Sequence, residues 1–370
     1  MGIDFSEAQR AAITKARQWH YDQPDQVFRL FGFAGTGKTT LARALAEEIG
    51  GRTVYAAFTG KAALQMSRAG CHGARTLHSI MYSVKEGEGD DSPLFTWNPD
   101  SDAAEADLIV VDEVSMVDEA LGQDLMRYGK PILVLGDPAQ LPPVGDGAGF
   151  FTEGVEPDVM LTEIHRQAEN NPIIWLATEV RERRRLDLGE YGQSLVIPRR
   201  ELTRRMVMEA DQVLVGKNDT RHTVNAKVRR LLGREGEPEQ GDRVICLRND
   251  KDLGIFNGGM FHVGSDPITC DDRRFIEFDA ISEDVSGLVA EVTVPRATFG
   301  GGDPDLQRWE WRGKQQFDFG YAITTHKAQG SQWPGVVVFD ESATFREDAP
   351  RWLYTAITRA SDRVIVVRGG

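Results

Sequence analysis

Gly32-Phe33-Ala34-Gly35-Thr36-Gly37-Lys38-Thr39-Thr40 fits G-x-x-x-x-G-K-[ST], the pattern of a phosphate-cradling loop. An apolar run, Val27–Phe33, precedes it, and a helical pattern, Leu41–Ile49, follows it. That strand–loop–helix setting is what gives the motif meaning. Its glycines let backbone N–H groups point into one concavity, and the helix N-terminus adds partial positive charge. Gly35, Thr36, Gly37 and Thr40 would line the phosphates, Lys38 would reach the β- and γ-phosphates, and the Thr39 hydroxyl would ligate Mg²⁺. The bland alternative is a glycine-rich turn. The loop points to a nucleoside triphosphate, ATP or a relative, and leaves open what that nucleotide drives.

Composition narrows the class. The chain has 370 residues, 41% hydrophobic and 27% charged, which is ordinary for a soluble globular protein of several domains. No apolar run approaches the ~20 residues of a membrane span. The N-terminus has no basic, apolar leader, so a cytoplasmic protein is expected. The few residues before Phe5 leave no room for an accessory domain, so a bare core is expected. Cys71, Cys246 and Cys270 are far apart and form no C-x-x-C pair, so neither a structural metal nor a disulfide framework is expected. A net charge of −14 argues against a protein that coats nucleic acid; a polyanion would need a local basic groove.

The fold class read from the chain is α/β with parallel sheets. Strands are expected at Val27–Phe33, Thr53–Phe58, Leu108–Asp112 and Ile132–Gly136, alternating with helical segments over the first ~150 residues. Between Tyr82 and Ala106 the pattern breaks. Tyr82–Val84 and Leu94–Trp97 flank the polar turn Lys85–Pro93, which reads either as a small hairpin or as an acidic loop. A second region starts after Pro142-Pro143, with helices expected at Pro172–Arg184 and Asp219–Leu232 and a strand at Gln212–Val215. From Gln240 to Gln316 short β pieces predominate (Arg243–Leu247, Met260–Val263, Arg274–Ile281, Leu288–Val294), which predicts an all-β insert. After Phe317 the α/β texture resumes, with a helix near Ala322–Gln329, a strand at Val336–Phe339, a helix near Pro350–Ile357 and a last strand at Val364–Val367. The expected division is 1–150, 151–239, 240–316 and 317–370. Two α/β regions suggest two stacked sheets with the nucleotide in the cleft between them.

Two further strand ends carry chemistry. Ile109-Val110-Val111-Asp112-Glu113 ends an apolar strand in adjacent carboxylates. Asp112 would hold Mg²⁺, and Glu113 would orient and deprotonate the attacking water. On the next strand, Gly136-Asp137-Pro138-Ala139-Gln140 offers a neutral amide, Gln140, able to hydrogen-bond a γ-phosphate or its attacking water. A rigid turn is the alternative there.

Taken together, nine ordered segments resemble the superfamily 1 helicases, most of all the RecD-like and phage Dda-like 5′→3′ branch. They are Phe5–Ala12, Gly32–Thr40, Ala56–Leu64, Thr76–Ile80, Val110–Val117, Leu133–Val144, Leu161–Gln167, Tyr321–Gln332 and Tyr354–Ala360. The resemblance implies two RecA-like domains, the second with an SH3-like β insert, and roles position by position. Gln9 would read the adenine edge. Arg166 and Arg359 would be arginine fingers on the γ-phosphate, alongside Lys38, Glu113 and Gln140. His165 stands where relatives often place an aromatic against the base; stacking and plain packing are both open to it. Gly330 and Gln332 would lie by the sugar and phosphates, Gln332 departing from a frequent Glu. Thr59, Lys61 and His78, and later Thr325, His326 and Lys327, would touch the backbone of a DNA strand. Such a narrow groove needs few cations, which eases the conflict with the net charge. The hairpin occupies the place of a strand-separating pin, with Phe95 or Trp97 as its aromatic; a local hydrophobic anchor is the alternative for each. Arg181, Arg183, Arg184 and Arg185 read better as an exposed helix end than as phosphate contacts.

The resemblance therefore implies an ATP- and Mg²⁺-dependent DNA helicase. It would act as a monomer on single-stranded and duplex DNA in a bacterial or phage-infected cell, in replication, recombination or repair, alongside single-strand-binding or replication and recombination proteins. Rival expectations are an RNA-directed motor and a translocase that remodels protein–DNA complexes without unwinding.

Overall fold

The computed structural model describes residues 5–85, 94–142, 149–163, 171–250, 252–270, 273–302 and 304–369. It divides into two compact units, one ending at Arg183 and the other beginning at Arg184.

The first unit is built on a wholly parallel sheet. Its strands are β1 (Val27–Gly32), β2 (Thr53–Ala57), β3 (Arg75–Thr76), β6 (Leu108–Asp112), β7 (Ile132–Gly136) and β8 (Val159–Leu161), in the order β3-β2-β6-β7-β1-β8. Side chains alternate across each strand, so each face takes its own helical layer. Phe28, Leu30, Val110, Leu133 and Leu135 pack with α1 (Glu7–Asp22), α2 (Lys38–Ile49) and α3 (Gly60–Arg68). Val27, Phe31, Ile109, Val111 and Val134 pack with α4 (Leu77–Met81) and α5 (Glu119–Met126). Burying each such Leu, Ile, Val or Phe stabilises the unit by roughly 1.5–3 kcal/mol. Continuous apolar strands such as Leu108–Val111 are what a sheet covered on both faces demands.

One sequence expectation shifts here, and one open alternative is decided. The boundary expected at 150 falls later, because β8 extends the first sheet beside β1 and α6 (Pro172–Arg181) belongs to the same unit. The excursion is a hairpin at its base: β4 (Tyr82–Lys85) pairs antiparallel with β5 (Leu94–Trp97), Tyr82 opposite Trp97. Its turn lies outside the described residues.

The second unit carries a second sheet and a β insert. Strands β9 (Gly189–Tyr191), β10 (Ser194–Pro198), β11 (Gln212–Val215), β18 (Ala322–Thr324), β19 (Trp333–Asp340) and β20 (Ala360–Arg368) are ordered β18-β11-β19-β20-β10-β9. All pairs are parallel except β9 with β10. Helices α7 (Arg204–Met208), α8 (Asn218–Leu231) and α9 (Ala349–Ile357) accompany it. The helix expected at Ala322–Gln329 is instead strand β18 followed by turns. Ile323 and Thr324 are β-branched, and the backbone of Ala322–Thr324 pairs with Val213–Val215.

The insert is an antiparallel sheet of β12 (Arg243–Cys246), β13 (Met260–Val263), β14 (Ile268–Cys270), β15 (Phe275–Ser282), β16 (Val289–Pro295) and β17 (Phe317–Phe319). It runs three residues past the expected end at 316, since β17 pairs with β12. Phe261, Phe278 and Phe317 fill its core, Phe261 and Phe317 edge to face at 5.5 Å. A buried ionic knot ties it to the second unit's other sheet and helix. Arg229 of α8 donates to Asp242 at 2.9 and 3.1 Å, and Tyr321, just before β18, donates to the same carboxylate at 2.8 Å.

Candidate active site

The phosphate-loop motif forms the turn between β1 and α2. Gly35 and Gly37 have φ of 81° and 76°, the left-handed region where a side chain is strained, and Gly37 is the N-cap of α2. With no side chain capping α2, its first N–H groups remain available to an anion. The Lys38 ammonium donates to the carbonyls of Gly32 (2.7 Å) and Phe33 (3.2 Å), which holds the cation against the loop. Thr36 is buried and donates to Phe33 O at 2.9 Å, closing the turn. Thr40 follows in the first turn of α2.

Thr39 and Asp112 meet. The Thr39 hydroxyl, in the first turn of α2, donates to Asp112 Oδ2 at 2.7 Å, while Asp112 Oδ1 accepts from the backbone of Glu113 at 2.8 Å. Two hard oxygen donors side by side, beside a phosphate loop, fit Mg²⁺, which takes one or two protein oxygens and completes its shell from phosphates and water. Glu113 follows with φ 54° and ψ 43°, a left-handed conformation in a non-glycine residue. Such a backbone costs on the order of 1 kcal/mol and recurs where a side chain must be aimed. Gln140, after β7, is buried, and its Oε1 has no hydrogen-bond partner among the described residues. An acceptor left in that condition suits a water or amide donor.

Gln9 is engaged differently from expectation. Its Oε1 accepts from Ser6 N at 3.0 Å in a capping box, and its Nε2 donates to Thr36 O at 3.1 Å. The amide thus links the start of α1 to the phosphate loop. Sequence reasoning misread one further residue and gave another no role. Arg181, at the end of α6, lies over the ring of Phe33 at 3.6 Å and is only 22% exposed, so the solvated helix end begins after it, at Glu182. Ser115 is buried two residues past Glu113, its hydroxyl unpartnered among the described residues. Arg181 stands 148 positions from Phe33 in the chain, so no local pattern announces it; Ser115 lay inside the Val110–Val117 motif.

The strand-contact candidates are placed variously. Thr59 caps α3 through Ala62 N at 3.1 Å, Lys61 is buried, and His78 is exposed between Phe58 and Tyr82. In the second unit Thr325 is buried, with its hydroxyl unpartnered among the described residues. His326 sits 5.5 Å from the Phe345 ring, and burial pulls its pKa below the usual histidine value. Lys327 is exposed and donates to Asn257 of the insert at 3.0 Å. Arg359 is buried and donates to Thr355 O at 3.1 Å and Ser331 O at 3.2 Å. That second bond brings it beside buried Gly330 and exposed Gln332. His165 and Arg166 lie outside the described residues.

Trp97 is corrected. It belongs to the base of the hairpin, where its Nε1 donates to Asp124 O at 3.1 Å, Arg127 covers its ring at 4.1 Å, and Tyr128 packs against it at 4.9 Å. A side chain held on three sides is an anchor rather than a pin. Phe95 lies in β5, and its side chain is outside the described part.

Comparison with known proteins accords with this geometry. The AAA domain family matches residues 4–194, more than half of the chain, and the UvrD-like helicase C-terminal domain matches residues 319–367. An ATP-dependent RecD2 DNA helicase of Deinococcus radiodurans is 31% identical over 366 residues, covering 90% of this chain and 46% of the relative. The RecBCD enzyme subunit RecD of Mycolicibacterium smegmatis is 28% identical, covering 91% of this chain and 67% of that one. The chain thus spans about half the length of the RecD2 relative. A crystal structure of Bacteroides Pif1 bound to ssDNA shares the fold at a TM-score of 0.58 and 19% identity, covering 98% of this chain and 92% of that one. The chain belongs to the AAA domain family, and its C-terminal part matches the UvrD-like helicase C-terminal domain.

Proposed function

We propose that this chain is the motor of an ATP-dependent DNA helicase that translocates 5′→3′ on single-stranded DNA and separates duplex. The observation that carries the reading is the Thr39–Asp112 hydrogen bond beside the loop bearing Lys38, followed by Glu113 in its strained backbone. Thr39 and Asp112 would hold Mg²⁺, which would supply charge neutralisation to the phosphates. Lys38 and the first N–H groups of α2 bind those phosphates. Glu113 orients the attacking water and takes its proton, and Gln140 accepts a hydrogen bond from that water or from a neighbouring amide. Arg166 and Arg359 act as the arginine fingers, and Gln9 holds the loop in register from α1.

Thr59 and His78 of the first unit, and Thr325 and Lys327 of the second, contact the backbone of the DNA strand. His326, neutral at pH 7 by its lowered pKa, acts there as a hydrogen-bonding group rather than a cation. The all-β insert, read as SH3-like, supplies Asn257 to orient Lys327. The test is DNA-stimulated ATPase activity of Lys38→Ala, Glu113→Gln and Arg359→Ala. Each is expected to lose at least about 10²-fold in turnover; near wild-type turnover in all three would sink the reading.

A further inference from the structure

A cavity of about 390 Å³ opens in the second unit between α7, α8 and the end of β19, lined by residues that have no role in the site above. Its floor is aliphatic: Leu202, Val207, Val224, Val228 and Leu231, with Phe339 at one end. Leu231 is 41% exposed, so the apolar surface continues out of the cavity. Arg199, Arg204 and Lys227 stand on its rim, all exposed. None of the three forms an ion pair among the described residues; Arg199 lies 6.0 Å from the Phe339 ring centre. One carboxylate, Asp219, also lines it. Three cations against one carboxylate is a local excess of positive charge on a chain whose net charge is −14.

We propose that this cavity is a docking site for a short acidic peptide of a partner protein, one that inserts a bulky apolar side chain. Its volume is near the small end of ligand pockets, roughly 300–1,000 Å³, enough for a side chain or two. The charges are dispersed on an exposed rim rather than converging on a buried point, which suits an extended anionic segment better than a compact small molecule. Stacking of nucleic-acid bases is disfavoured by an aliphatic floor whose single aromatic ring lies under Arg199. Apolar insertion supplies affinity, and the rim supplies orientation and a faster encounter.

The probe is a fluorescein-labelled peptide of four aspartates followed by leucine and phenylalanine, followed by anisotropy against the full chain. Binding is expected, weakening with added salt. Arg204→Glu combined with Lys227→Glu is expected to lower affinity at least about tenfold, with basal ATPase unchanged. Replacing leucine and phenylalanine of the peptide by alanine, or its aspartates by asparagine, should do the same without touching the protein. Lys38→Ala should bind the peptide normally, which separates this site from the proposed motor activity. No binding, equal binding to the double charge reversal, or displacement of the peptide by a single-stranded oligonucleotide would overturn the proposal.

Discussion

The Thr39 hydroxyl donates to Asp112 Oδ2 across 2.7 Å, joining the first turn of α2 to the end of β6 although β7 lies between β6 and β1, the strand that leads into α2. Removing either partner should therefore disable the same step. Thr39→Val and Asp112→Asn should each lower kcat on the order of 10²-fold and weaken the Mg²⁺ dependence of turnover, while Thr39→Ser retains most activity. Magnesium titrations of steady-state ATPase check this. A Val variant with a wild-type magnesium profile would detach the pair from metal binding.

Arg181 over Phe33 positions the phosphate loop from the far end of the first unit. A cation–π contact of this exposure contributes about 0.5–1 kcal/mol. Arg181→Ala should then raise KM for ATP about two- to five-fold with a smaller change in kcat, and Arg181→Lys should recover part of it. Steady-state kinetics on the three proteins decides, because a merely structural role would lower melting temperature without this KM-against-kcat split.

The two pin candidates of the hairpin, Phe95 and Trp97, should separate. Trp97→Ala removes an anchor held by Asp124, Arg127 and Tyr128, and should cost about 2 kcal/mol of stability. Phe95→Ala should leave stability and DNA-stimulated ATPase near wild type and reduce strand separation. Urea unfolding, ATPase and unwinding assays on both variants test this; equal phenotypes would merge the two roles.

Much of this arrangement was legible in the sequence. The four strands predicted for the first unit are present, Leu108–Asp112 and Ile132–Gly136 with the expected bounds, because buried parallel strands read as apolar runs ended by turns. The phosphate loop and the Asp112-Glu113 pair were legible because their chemistry is local in sequence. What was missed depends on tertiary pairing. The helix expected near Ala322–Gln329 opens instead as strand Ala322–Thr324, because β11 offers it a strand edge. Val159–Leu161 is too short to announce itself and is a strand because β1 lies beside it. Trp97 and Arg181 take their roles from partners in other elements.

A pH effect follows from Glu283. Burial disfavours its charge, but hydrogen bonds from His262 and Arg243 outweigh this and lower its pKa from 4.5 to about 2. A carboxyl depressed on folding stabilises the fold above its unfolded pKa and loses that contribution as pH falls toward 2. Glu283→Gln should thus cost on the order of 2 kcal/mol at pH 7. The gap to wild type should close as pH drops below about 4.5, where the unfolded carboxylate begins to protonate. Urea unfolding of both proteins between pH 7 and 3.5 measures it; a gap independent of pH would point to lost packing instead.

The central claim is a motor of defined direction. Strand separation should be measured on matched duplexes carrying a 5′ or a 3′ single-stranded tail, with ATP and Mg²⁺ and with Glu113→Gln as the inactive control. The account predicts unwinding of the 5′-tailed duplex alone, abolished in the control. Unwinding of the 3′-tailed duplex instead, or of neither while ATP is hydrolysed, would contradict it.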